Sequence, residues 1–104
     1  MIIIAGRAEA DPAKLAELKV ALQAMMRATW EESGCLCFSL AIEHEGGDDA
    51  PAVISIMERW ESEDSLHAHF NSPHMKAFNA AVEGAMLSVD AKIYDVVNER
   101  PLQL

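Results

Sequence analysis

A chain of 104 residues, 51% hydrophobic and 24% charged, has room for one domain, and at that length burial of about 60–68% of the unfolded surface holds a core without disulfide or metal staples. Eight Lys and Arg against 17 Asp and Glu leave a formal charge of −9, which repels phosphate backbones and anionic lipid, so neither nucleic acid nor a membrane surface is an expected partner. No run approaches the roughly 20 apolar residues of a membrane span, and the apolar residues 1–5 are followed rather than preceded by Arg7, unlike a secretion signal, so the expected location is cytoplasmic.

Ile2, Ile3 and Ile4 open a β-branched run over residues 2–8 that reads as a central strand with both faces buried. Asp11 and Pro12 then mark a helix start: an N-cap acceptor followed by a residue whose fixed φ suits the first turn. Leu15, Leu18, Leu22, Met25 and Met26 keep the spacing of one apolar helix face to about Glu32, and Gly34 is the natural left-handed cap. Over residues 35–44 the period changes to two, with Leu36, Phe38, Leu40 and Ile42 large on one face and Cys37, Ser39 and Ala41 small on the other. Cys35 and Cys37 would share a strand face about 6.6 Å apart, too far for a disulfide, and no further cysteines complete a zinc site, so both are expected as inert buried thiols.

Residues 45–51, with Gly46 and Gly47 in an acidic stretch, read as a hairpin connection. A third strand follows over residues 52–60, with Ile54, Ile56, Glu58 and Trp60 on one face and Val53, Ser55, Met57 and Arg59 on the other. Ser62 before Glu63 and Asp64 is an N-cap with a carboxylate-rich first turn, opening a short helix that carries Leu66, His69 and Phe70. Ser72 and Pro73 restart a second helix whose inner face is marked by Met75, Phe78, Val82 and Met86. Residues 87–97 form a fourth strand, and 98–104 a tail.

The order β-α-β, loop, β-α-α-β describes a single α+β domain over residues 1–104, the ferredoxin-like split βαβ arrangement of an antiparallel sheet with its helices on one face. Cys37, Ala41, Val53, Met57 and Val89 are expected on the other face, too apolar for water, which makes a homodimer stacked sheet on sheet the economical solution. The apolar share counted with Gly and without Tyr, about 55% against roughly 45–50% in average globular chains, agrees with a second buried surface, although 17 alanines contribute to it.

The chain has no phosphate-binding glycine loop, nucleophile elbow or HExxH motif. Its notable cluster is His67, His69 and His74. On a helix His67 and His69 point about 200° apart, so they do not share a metal; His67 is expected in solvent and His69 on the buried side, with His74 close enough to share its pocket. A buried histidine is by default a hydrogen-bonded core residue. Yet only six aromatic residues exist, and Phe38, Trp60 and Phe78 fall where they would floor and wall a slot beside His69, an environment for a flat apolar ligand.

The segments Glu58-Arg59-Trp60-Glu61-Ser62, Leu66-His67-Ala68-His69, Ser72-Pro73-His74-Met75-Lys76-Ala77-Phe78 and Ala81-Val82-Glu83-Gly84 closely resemble the second half of bacterial quinol monooxygenases of the antibiotic biosynthesis monooxygenase family. Gly34-Cys35-Leu36-Cys37-Phe38 is similar to the family's entry to its second strand. The resemblance implies a dimeric α/β barrel that oxygenates a small quinol or polycyclic phenol with O2 as co-substrate and without metal, flavin or other cofactor. It implies His69 as catalytic base or hydrogen-bond partner, Trp60 and Phe38 as positioning groups, and His74 and Phe78 as secondary lining of the substrate pocket. Haem is not expected, because the pocket tryptophan of haem-degrading relatives would fall at His69 and their haem-ligating histidine near Asn79. The competing reading is a non-enzymatic small-molecule-binding or stress-response dimer of the same fold.

Overall fold

The computed structural model describes residues 1–104. Strand β1 (Ile2–Ala10) leads through a 3-10 turn (Pro12–Lys14) into helix α1 (Leu15–Trp30), followed by β2 (Cys35–His44), β3 (Ala52–Trp60), α2 (Glu63–Phe70), α3 (Pro73–Ala81) and β4 (Met86–Asp95). The strands form one antiparallel sheet in the order β2-β3-β1-β4, the ferredoxin-like α+β topology.

The elements begin and end for local reasons. Asp11 accepts a hydrogen bond from the Ala13 N–H at 3.0 Å, and the turn at Pro12 tightens to 3-10 before the α-helix proper starts. Gly34 ends the α1 connection at φ +84°, left-handed as expected. Gly6 lets β1 lie close against β4, since a Cβ there would collide with the backbone of Asp90 and Ala91.

Four expectations need correction. β1 extends to Ala10 and is buried on one face only: Ile2, Ile4, Ala8 and Ala10 point inward, while Arg7 on the other face is exposed and paired with Glu43 at 2.9 Å. A bulge in β2, where Cys35 opposes Trp60 and Cys37 opposes Arg59, ejects Leu36 to 44% exposure and turns Cys35 inward and Cys37 outward. The two thiols therefore occupy opposite faces. Met86 belongs to β4 rather than to the last helix, because Gly84 at φ +79° has already turned the chain. Val89 pairs with the inward-facing Ala8, so it lies on the helix side of the sheet, not on the open side.

The core divides into two clusters between helices and sheet. One is aliphatic, built on Leu18, Leu22, Ala52 and Ile54; the other gathers Ile2, Met25, Phe38, Trp60 and Leu66 at the opposite end. Every residue of β4 escapes full burial, and Val89 and Ile93 on its helix-side face remain 62% and 53% exposed.

Candidate active site

His69 lies on the last turn of α2. Ser62 caps that helix by accepting the Ser65 N–H, and the three-residue step from Leu66 to His69 buries both, at 2% and 1% exposure, while His67 faces solvent as expected. The break before α3 is held by Ser72, whose Oγ donates to the His69 carbonyl at 2.6 Å and accepts the Met75 N–H at 3.2 Å. Thus one hydroxyl both starts α3 and fixes the backbone of His69.

The imidazole of His69 packs against two rings of the sheet that are in edge contact with each other, its centroid 4.9 Å from that of Trp60 and 5.2 Å from that of Phe38. Its Nδ1 lies 2.7 Å from Oε2 of Glu32, just beyond α1. A carboxylate there accepts the Nδ1 proton and leaves Nε2 as the ring's acceptor, the tautomer-setting arrangement of a histidine base with an orienting acid. His74 brings its Nε2 to 3.2 Å from the same oxygen, within ion-pair distance but off the direction a hydrogen bond requires, so this buried nitrogen has no hydrogen-bond partner. Glu32, His69 and His74 each present one ligating atom, all within 4.8 Å of one another.

A cavity of 290 Å³ opens beside His69, and thirteen of its sixteen lining residues are hydrophobic. Phe38, Leu40 and Ile56 supply its sheet side, Met75 and Phe78 its α3 side, and Glu58, His69 and Asn79 its polar groups. Such a lining suits a flat, weakly polar molecule, and the volume is near the lower limit of about 300–1,000 Å³ for small-molecule sites. Of the expected site residues, Phe38, His69 and Phe78 meet in this cavity. Trp60 and His74 do not line it: Trp60, fully buried, lies against the ring of His69 at the end of β3, and the His74 ring is turned towards Glu32.

Two carboxylates join the site that the sequence reading did not select. Glu58 is 9% exposed, and burial pushes its pKa up, opposed by a 3.0 Å hydrogen bond from Trp60 Nε1 and by nearby His69. Its signal was present: an acid in the Ile54, Ile56, Trp60 row of a strand face otherwise buried. Glu32 had no such signal, since its 37-residue separation from His69 is closed only by the packing of α1 against the rest of the fold. Burial and the Glu32 carboxylate also push the Cys35 thiol up, which keeps it protonated and unreactive.

The sequence profile of the family described as antibiotic biosynthesis monooxygenase matches residues 1–81. The probable quinol monooxygenase YgiN of Escherichia coli K12 is 36% identical over 67 residues, a match covering 61% of this chain and 64% of that protein, thus less than two thirds of the relative's length. Among solved structures, Rv0793 from Mycobacterium tuberculosis superposes with a TM-score of 0.78 at 24% identity, covering 96% of this chain and 98% of that one. A Deinococcus radiodurans protein carrying the family's description superposes at 0.80 and 21% identity, with 99% of both chains covered. At these identities the superpositions establish the fold alone.

Proposed function

The chain belongs to the antibiotic biosynthesis monooxygenase family, and on that premise we propose that it is a cofactor-independent monooxygenase oxidising a small quinol or polycyclic phenol with O2. The observation that carries this reading is a buried imidazole, held by Glu32 through Nδ1, on the wall of an apolar cavity. The cavity's size favours one or two fused rings.

The chemistry asks little of the protein beyond a base and a dry slot. Nε2 of His69 takes a phenolic proton, and Glu32 stabilises the imidazolium that forms. The phenolate is electron-rich enough to reduce O2; one oxygen atom bonds to ring carbon and the other leaves as water, so that quinol plus O2 gives hydroxyquinone plus water. Phe38 and Phe78 confine the ring and exclude solvent from the reactive species. Trp60 acts as a positioning residue, with one face against the His69 ring and its N–H on Glu58. Oxygen uptake with menadiol in chelator-treated buffer tests the reading. Turnover lost in His69→Gln supports it; saturable menadiol binding without oxygen uptake overturns it in favour of the non-enzymatic binding dimer.

The working unit in this proposal is a cytoplasmic homodimer. The sheet face away from the helices leaves Met57 and Tyr94 43% and 51% exposed beside half-buried Ile3, Ala5 and Val53, an apolar centre suited to a second sheet. Thiols on opposite strand faces suit a reducing compartment. Sedimentation velocity checks the assembly: wild type as a dimer and Met57→Glu as a monomer is the expected pair.

A further inference from the structure

We propose that Glu32, His69 and His74 form a site for one borderline divalent cation, zinc foremost, and that its occupancy locks His69 in the tautomer that cannot act as a base. The second half rests on the catalytic role proposed for His69; the first does not.

Two imidazole nitrogens and one carboxylate are a recurrent donor set for zinc, and they converge here from the turn after α1, from α2 and from α3. Around a tetrahedral ion with bonds of about 2.0–2.1 Å, neighbouring ligand atoms stand about 3.3–3.5 Å apart. The 3.2 Å from His74 Nε2 to Glu32 Oε2 already has nearly that spacing. The 2.7 Å from His69 Nδ1 to the same oxygen must open by roughly 0.6 Å, which a turn of the carboxylate about its broad terminal torsion supplies.

The unpartnered state of His74 Nε2 is the independent sign. A buried imidazole nitrogen aimed at a carboxylate, yet misaligned for a hydrogen bond, loses its interactions with water without full compensation, and a cation between the two satisfies both. Side-chain exposures of 16% for Glu32 and 24% for His74 leave a route for the ion and room for water in its fourth position. Magnesium and calcium prefer all-oxygen sets, so two nitrogens select against them.

Neither Glu32 nor His74 lines the cavity, so an ion held between them and His69 Nδ1 does not occupy the proposed substrate space. Zinc on Nδ1 displaces the ring proton to Nε2, with solvent as carrier. The nitrogen left for a ligand then donates instead of accepting.

Calorimetric titration of zinc chloride into the chelator-stripped full chain tests the binding, with one zinc per chain expected and that binding lost in His74→Ala and Glu32→Gln. Circular dichroism confirms that both variants are folded. Cobalt(II) on the wild type reads the ligands without any variant: visible bands with no thiolate charge-transfer absorption are expected. Long-range ¹H–¹⁵N spectra follow His69 directly, moving from Nδ1–H to Nε2–H when zinc is added. Absence of saturable binding, unchanged binding in both variants, thiolate charge transfer or an unmoved His69 tautomer each overturns the proposal. Quinol turnover is read separately, so its absence overturns the catalytic reading alone.

Discussion

The two ends of the core are built on opposite principles. At one end Leu18, Leu22, Ala52 and Ile54 pack with no buried polar side chain in their cluster. At the other, Phe38, Trp60 and Leu66 surround the buried polar groups of the chain, with Glu58 bonded to Trp60, Thr29 to Met25, and Ser72 to the His69 backbone. Helix, sheet and solvent are shared, so the contrast lies in side-chain chemistry. The aliphatic end contributes stability by burial, whereas the aromatic end holds ionisable groups away from water, which stabilises little and prepares them to react.

The largest expected effect breaks the aliphatic end. Leu18→Ala, at a site 1% exposed, should destabilise the fold by about 2–5 kcal/mol in urea denaturation, because the closely packed strands and helices cannot collapse onto the space. The cavity chemistry should survive in whatever fraction remains folded. His69→Gln is the converse experiment: a loss of about 10²-fold or more in quinol-dependent oxygen uptake, with a stability change well below that of Leu18→Ala, separates the two ends. Comparable stability losses for both would dissolve the distinction.

Glu58 supplies the pH test. Its pKa is raised in the folded state, so above about pH 4.3, where the unfolded carboxyl gives up its proton, the unfolded chain binds fewer protons than the folded one. Stability contributed by the protonated acid is therefore complete below that pH and is lost as pH rises through the folded value. Glu58→Gln keeps an oxygen acceptor for the Trp60 N–H and should flatten this fall, visible as a smaller change in urea midpoint between pH 4 and 7. A variant as pH-sensitive as wild type would remove Glu58 from the account. The smallest effect is Ser72→Ala, expected to cost about 1 kcal/mol through the lost helix cap. Because Ser72 also holds the His69 carbonyl, oxygen uptake should fall more than that stability change accounts for.

Much of this organisation was readable from the chain. Alternation along residues 52–60 placed Trp60 and Glu58 on one face, helix spacing buried His69 and exposed His67, and serine-proline caps located the break before α3. The bulge at Leu36 was not readable, because period two assumes an unbroken ladder and nothing local marks the extra residue. The faces of the fourth strand were unreadable for a related reason: they are assigned by pairing with β1, and that ladder is itself irregular, Glu9 opposing Ser88 and Ala10 opposing Met86 with Leu87 left over.

The sequence by itself determined the element order, the apolar faces and the arrival of one histidine inside the helix layer, since these follow from periodicities of 3.6 and 2 and from local caps. Only the tertiary structure decided what that histidine does. The carboxylate on its Nδ1 comes from the turn after α1, the second imidazole from α3 and the buried acid from β3, and contacts across such separations are set by packing rather than by any local pattern of residues.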